Sequence, residues 1–184
     1  NQGNHARALH ISADGTVWAG SVGGGLYRSN DKGFTWNRVE GISANLAVSC
    51  ITSEGNNVYV GTGENYFNQP DPTLILNWQV GNEATITNGY LGYSGMPGEG
   101  VFVSNDGGVT FTHNNGTWNS GSTQFNDDFM SIQALAVKNG RVMISTLKGL
   151  YYSDDAGLAT VTKSNGSSAF MNAASLDVEF GGAN

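Results

Sequence analysis

The feature that most constrains this 184-residue chain is that it repeats itself. A repeat of fixed order decides architecture before any single residue does. The first unit runs Ala8-Leu9-His10-Ile11, a turn at Asp14-Gly15, Thr16-Val17-Trp18-Ala19-Gly20-Ser21, then Gly25-Leu26-Tyr27-Arg28-Ser29, and ends Thr35-Trp36-Asn37-Arg38-Val39. The second runs Ser49-Cys50-Ile51-Thr52, a turn near Gly55-Asn56, and Asn57-Val58-Tyr59-Val60-Gly61-Thr62. It resumes at Gly100-Val101-Phe102-Val103-Ser104 and ends Thr110-Phe111-Thr112. The third runs Gln133-Ala134-Leu135-Ala136-Val137, a turn at Asn139-Gly140, Arg141-Val142-Met143-Ile144-Ser145-Thr146, Gly149-Leu150-Tyr151-Tyr152-Ser153, and ends near Thr160-Val161-Thr162.

Each unit reads as four short strands. The first two strands are apolar and small, as in strands buried on both faces. Asp-Gly and Asn-Gly between apolar runs signal two-residue hairpins of type I′. Gly, at 27 residues, removes helix propensity along the chain, and no amphipathic helix stands out. Val17 and Val58 are 41 residues apart and Val58 and Val142 are 84, nearly two units. The excess lies between the second and third strands of the second unit, and in a smaller insert around 114–128. A four-strand unit of about 40–45 residues is the signature of a β-propeller blade. The expected fold class is therefore all-β: a propeller segment with blades at about 6–42, 47–116 (insert 65–97) and 131–164, and the first strand of a fourth at 173–182. Propellers close with about four to eight blades. Three blades leave the ring open, so the expectation is the N-terminal part of a longer propeller, or a ring completed by another chain.

Composition excludes several functions. Charged residues are 12%, about half the usual share of about 25%. With a net charge of −7, binding through phosphates and attraction to an anionic membrane are both disfavoured, so no nucleic-acid partner is expected. No run approaches the ~18 apolar residues of a membrane helix, so no direct membrane insertion is expected. The single Cys50 excludes an intrachain disulfide and reads as a small buried apolar group.

Ser29-Asn30-Asp31-Lys32-Gly33-Phe34-Thr35-Trp36 fits the pattern S-x-D-x-G-x-T-W at every fixed position. Ser104-Asn105-Asp106-Gly107-Gly108-Val109-Thr110-Phe111 fits with Phe for Trp, and Ser153-Asp154-Asp155-Ala156-Gly157 keeps the first half. All three sit between the third and fourth strands of their units. Ser and Asp side chains cap backbone N–H groups in a turn, Gly supplies the torsion, and the aromatic ring fills the space between sheets. On these residues the chain resembles the BNR/Asp-box propellers, a superfamily that includes sialidases, sortilin-type propellers, xyloglucan-degrading hydrolases and exported bacterial proteins. Val60-Gly61-Thr62-Gly63-Glu64, with the later Gly98-Glu99-Gly100-Val101-Phe102-Val103-Ser104-Asn105-Asp106-Gly107-Gly108, is similar to the sortilin-like bacterial branch. The resemblance covers roughly residues 8–182.

A sialidase resemblance implies three carboxylate-gripping arginines. The four here are Arg7, Arg28, Arg38 and Arg141, none in the family's early position. A xyloglucanase resemblance implies two cleft aspartates, for which only Asp177 on the last strand qualifies. Glu64 reads as an anchor of the insert or as a ligand contact. Asp127-Asp128 and Asp154-Asp155 have the carboxylates for Ca²⁺ but not the loop spacing. His5, His10 and His113 have no metal-ligand spacing. Gly23-Gly24-Gly25 lacks the following helix of a phosphate loop and reads as a strand link. Asn115-Gly116-Thr117 and Asn165-Gly166-Ser167 match glycosylation sequons, which matter only in a eukaryotic secretory setting. No catalytic residue, metal or cofactor is assigned.

The insert carries Tyr66, Phe67, Trp78, Tyr90 and Tyr93 with almost no charge, a composition that suits protein or glycan contacts. The expected function is a non-enzymatic binding or display scaffold in a secreted, periplasmic or cell-surface bacterial protein, of adhesin or type IX secretion-cargo kind. Its partner would meet the insert or the open propeller edge. The alternative is a glycoside hydrolase, sialidase- or xyloglucanase-like, completed by blades outside this chain.

Overall fold

The computed structural model describes residues 5–63, 99–114, 117–119, 132–146 and 149–164. The chain divides into two units, residues 1–64 with 96–184, and residues 65–95. The second lies wholly outside the described residues. So do Glu64, the insert aromatics Tyr66, Phe67, Trp78, Tyr90 and Tyr93, the Asp127-Asp128 pair, Asp177 and the strand expected at 173–182. All the described strands belong to the first unit.

This unit is a propeller segment of three blades, with no helix among the described residues. Blade 1 is β1 (His5–Ile11), β2 (Val17–Val22), β3 (Gly25–Ser29) and β4 (Asn37–Arg38), in that order across the sheet. Blade 2 is β5 (Val48–Glu54), β6 (Asn57–Thr62), β7 (Val101–Ser104) and β8 (Thr112–His113). The short β9 (Thr117–Asn119) comes next. Blade 3 is β10 (Ile132–Lys138), β11 (Arg141–Thr146), β12 (Gly149–Ser153) and β13 (Thr160–Lys163). Blade 3 has a fifth strand that the repeat does not announce. β9 pairs in parallel with β13 on the outer edge, Val161 opposite Trp118. Every other pair among the described strands is antiparallel.

The hairpins obey local chemistry. Asn139 and Gly140 both have positive φ, 53° and 76°, the type I′ turn expected of Asn-Gly. At Asp14-Gly15 the two-residue turn is not formed. Only Gly15 is left-handed (φ 87°), and Ser12 N–H reaches Thr16 O at 3.0 Å, which closes a three-residue loop instead. The Asp14 carboxylate accepts both Thr16 N–H (2.9 Å) and the Thr16 hydroxyl (3.0 Å), and this favours the longer loop.

Two apolar clusters join the blades. Between blades 1 and 2 lie Ala8, Trp18, Leu26, Val39, Ile42 and Leu46 with Ile51, Val58, Val60, Phe102 and Phe111. Between blades 2 and 3 lie Tyr59, Val101 and Val103 with Ile132, Leu135, Val142, Ile144, Tyr151, Leu158 and Val161. Alternation along the strands explains the division. Val58 and Val60 face back to blade 1, and Tyr59 between them faces forward. Cys50 is half-buried against the second cluster, and burial pushes its thiol up to about 12.

The sheets approach closely where the second strand has no side chain. A Cβ on Gly61 would stand 2.5 Å from Cys50 Sγ and 2.7 Å from Ile132 Cγ2. One on Gly20, the same repeat position, would stand 2.3 Å from Val48 Cγ1. Blade 3 has Ser145 there. Gly61→Val is therefore expected to destabilise the chain by at least ~1–3 kcal/mol in urea unfolding, through overpacking. Gly55→Ala, in open space at φ 57°, should cost only about 1–2 kcal/mol for its left-handed backbone.

Candidate functional site

The residues singled out by the repeat gather at the strand-3 to strand-4 corners. In blade 1 the Ser29 hydroxyl donates to Asp31 Oδ1 (2.7 Å) and accepts Gly33 N–H (2.8 Å). Asp31 also accepts Thr35 N–H on Oδ1 (2.8 Å) and the Thr35 hydroxyl on Oδ2 (2.6 Å). Blade 2 repeats this closely. Ser104 donates to Asp106 Oδ1 (2.7 Å), Gly108 N–H to Ser104 Oγ (2.8 Å), Thr110 N–H to Oδ1 (2.9 Å) and the Thr110 hydroxyl to Oδ2 (2.6 Å). The three serines are buried, so each hydroxyl needs the partners it has.

The third corner keeps the clasp with different atoms. Ala159 stands in place of Thr and still donates its N–H to Asp155 Oδ2 (2.8 Å). Gly157 N–H goes to Asp155 Oδ1 (3.0 Å), and the Ser153 hydroxyl turns to Asp155 O (3.0 Å). The left-handed residue is Leu158 (φ 56°), not Gly157. At the other two corners Gly33 (φ 91°) and Gly108 (φ 81°) hold that conformation.

The aromatic ring of the motif has two fates. Phe111 lies between the sheets, edge-on to Trp18 at 6.2 Å and only 9% exposed. Trp36 does not fill such a space. It is 41% exposed, folds over its own Gly33 and donates Nε1–H to Gly33 O (3.0 Å). The difference lies in the neighbour, since blade 2 faces blade 1 while, among the described residues, no blade lies against the face of blade 1 that carries Trp36.

The corners also reach across blades. Trp18 lies so close over Gly108 that a Cβ there would stand 2.1 Å from its ring, and Arg28 Nη1 donates to Gly108 O at 3.4 Å. Tyr59, at the position of Trp18 one blade on, donates its hydroxyl to Ala156 O at the third corner (3.0 Å). Contacts between hairpin tips were not foreseen from sequence. His10 Nε2 and Ser53 Oγ share a 2.7 Å hydrogen bond, Ser53 meets Ser12 Oγ at 2.9 Å, and Trp18 Nε1–H donates to Ser12 Oγ (2.8 Å). Glu54 takes Asn139 N–H and Gly140 N–H, one on each oxygen, at 2.6 and 2.7 Å. His10 and Ser53 lie 43 positions apart, and no local pattern links them.

The carboxylates of Asp31 and Asp106 are held ionised by the hydrogen bonds of their own corners. Hydrogen bonds from Thr35, then Ser29, hold the Asp31 carboxyl down at about 2. Thr110 and Ser104 hold Asp106 well below the usual carboxylate range. A general acid at neutral pH needs the opposite shift. Asp154, weighed for Ca²⁺ with Asp155, is gripped by Arg141, whose Nη2 donates to Oδ2 at 3.0 Å. Burial lowers the pKa of His10, which leaves it neutral at pH 7, and no carboxylate among the described residues hydrogen-bonds it. No group of three His, Cys, Asp or Glu side chains among the described residues is placed to hold a metal.

No protein-family model matches the chain, and no curated protein matches it. Solved structures do. An ancestral GH74 enzyme superposes with a TM-score of 0.58 at 17% identity, over 89% of this chain and 19% of its own. The GH74 xyloglucanase from Xanthomonas campestris gives 0.51 at 14%, over 83% and 21%. YCF48 bound to D1 peptide gives 0.50 at 14%, over 85% and 40%. All are β-propellers, and at these identities the likeness shows the fold. The chain spans well under half the length of each.

Two outcomes are expected at the corners. Asp106→Ala, which loosens a corner locked under Trp18, lowers the melting temperature more than Asp31→Ala, whose corner meets no other blade among the described residues. In acid, the Asp31 carboxyl has a folded value of about 2, below the unfolded value of about 3.9. Its contribution is therefore complete above about pH 4 and is lost as pH falls through about 2. Unfolding monitored by circular dichroism should show a smaller loss of stability over this window in Asp31→Asn.

Proposed function

We propose that the chain is a propeller module of the BNR/Asp-box kind, in its sortilin-like branch, serving an exported or cell-surface bacterial protein as a binding or display scaffold without catalytic activity. The observation that carries this reading is the use made of the recurring carboxylates. Asp31, Asp106 and Asp155 each accept hydrogen bonds on both oxygens from their own corner. Residues that recur in every unit are thereby devoted to holding the blade, and the variable segments are left to meet partners.

The partner on this reading is a protein or a glycan, met by the charge-poor insert at 65–97 through Tyr66, Phe67, Trp78, Tyr90 and Tyr93. Aromatic side chains supply large contact area with little ordering entropy. The secretion-cargo or adhesin setting is supported by the Ser-x-Asp-x-Gly repeat and the Val60–Glu64 strand end. No helix among the described residues is long and apolar enough to cross a membrane. YCF48 carries a peptide and the GH74 proteins are enzymes, so propellers of this shape serve both classes.

Glycan and peptide arrays probed with the 184-residue chain are expected to show binding without turnover. Trp78→Ala with Tyr66→Ala should weaken it by about tenfold or more, as for buried aromatic anchors. Release of reducing sugar from xyloglucan, or of sialic acid, that disappears in Asp177→Asn would replace the scaffold with a hydrolase.

A further inference from the structure

The hairpin tip of blade 3 carries a chemically vulnerable pair. In Asn139-Gly140 the second residue has no side chain to shield its backbone nitrogen, so that nitrogen can approach the side-chain amide carbon of Asn139. The reaction open to the pair is intramolecular. Gly140 N loses its proton to water and bonds to Asn139 Cγ, and the side-chain nitrogen takes up a proton and leaves as ammonia. Water then opens the cyclic imide at one carbonyl or the other, which leaves aspartate or isoaspartate. The net change is asparagine plus water to a carboxylic acid plus ammonia. Asparagine in an exposed turn is a thermolabile residue for this reason, and Asn139 is exposed among the described residues.

The fold opposes that chemistry from a different blade. Glu54, at the end of β5 in blade 2, accepts Asn139 N–H at 2.6 Å and Gly140 N–H at 2.7 Å, one on each oxygen. The proton that Gly140 has to lose therefore lies against a carboxylate, and its departure would build a second negative charge beside the first. Geometry acts in the same direction. Asn139 and Gly140 sit in the left-handed region at φ 53° and 76°, with the Gly140 nitrogen turned toward Glu54. Ring closure has to swing that nitrogen round to the side chain of its own neighbour, which breaks the bond to Glu54. The arrangement is particular to this pair of blades. By strand register Ser12 stands in blade 1 where Glu54 stands in blade 2, and its hydroxyl meets the Ser53 hydroxyl at 2.9 Å. At the blade 1 tip, Gly15 N–H goes to a neutral acceptor in its own loop, Ser12 O at 2.9 Å.

We propose that Asn139 is a latent deamidation site and that Glu54 of the preceding blade keeps it closed. Opening of the contact exposes the site, and reaction makes the opening permanent. Isoaspartate inserts a methylene into the main chain of a two-residue turn, so the two N–H groups lose the spacing that matches one carboxylate. Either product adds a negative charge to the residue whose N–H Glu54 holds. The inference rests on this contact alone and stands apart from the scaffold reading.

The test follows the 184-residue chain at mildly alkaline pH, with deamidation read from the mass gain of the peptide that carries residue 139. The native chain should react at least about tenfold more slowly than the same chain in urea, because a protected group reacts only on opening. Glu54→Ala, checked by circular dichroism to be folded, should approach the rate in urea. Glu54→Gln keeps the shape but offers one acceptor oxygen and no charge, so it should fall between the native chain and Glu54→Ala. It carries the comparison if Glu54→Ala does not fold. Hydrogen exchange at Gly140 N–H in the unmutated chain reads the same gate, with protection of at least about tenfold relative to the unfolded chain expected. Equal rates in the native and urea-unfolded chains, folded variants that react no faster than the native chain, or an unprotected Gly140 N–H overturn the proposal. A folded Glu54→Gln that reacts more slowly than the native chain would make Glu54 a base that promotes ring closure, and overturns it equally.

Discussion

Close approach between sheets is the constraint on which the rest of this molecule depends. Blades 2 and 3 each turn a row of large apolar side chains back, and blades 1 and 2 each turn an aromatic ring with a glycine forward. The two surfaces fit only where a side chain is missing, at Gly20 against Val48, Gly61 against Ile132 and Gly108 against Trp18. Interiors pack to the density of organic crystals, and there is no slack to absorb an extra methyl at such points. The glycine content that removes helix propensity along the chain is thus also what allows the blades to stack.

The corner clasps answer a different need. A turn that carries the chain from the third strand to the fourth exposes N–H groups that no sheet partner can take, and a carboxylate with a buried serine takes several at once. The strength of the clasp is local, but its consequence is not. Around Gly108 it sets the floor on which Trp18 rests, and near Ala156 it supplies the carbonyl that Tyr59 reaches. Among the described residues, the same device on blade 1 holds only its own loop. Location in the array, more than composition, decides what each copy of the motif contributes.

Much of this was legible in the residues. The blade count, the strand order and the position of the three clasps are consequences of the repeat, and Asn139-Gly140 forms the turn its two residues favour. Asp14-Gly15 does not, because the same dipeptide serves two- and three-residue loops and the bond from Thr16 to Asp14 decides between them. Trp36 and Phe111 occupy one motif position with different burial, and the shared Ser-x-Asp-x-Gly-x-Thr frame does not announce the difference. What differs is whether another sheet stands in front. The hydrogen bonds joining His10 to Ser53 and Glu54 to Asn139 are long-range and polar, and the apolar periodicity that reveals strands does not report them. Of the insert aromatics, sequence offers composition but not placement.

Strand β9 changes how the third blade relates to the second. The polypeptide leaving β8 does not pass directly into β10 but first lays Thr117–Asn119 along β13. The outer edge of blade 3 is then completed by residues that precede the whole blade in the chain, while among the described residues the two-residue strands β4 and β8 end their sheets. A lock of this kind makes a segment synthesised early wait for the last-made strand of blade 3. Assembly of the second and third blades becomes a coupled event with high contact order, not two successive local ones.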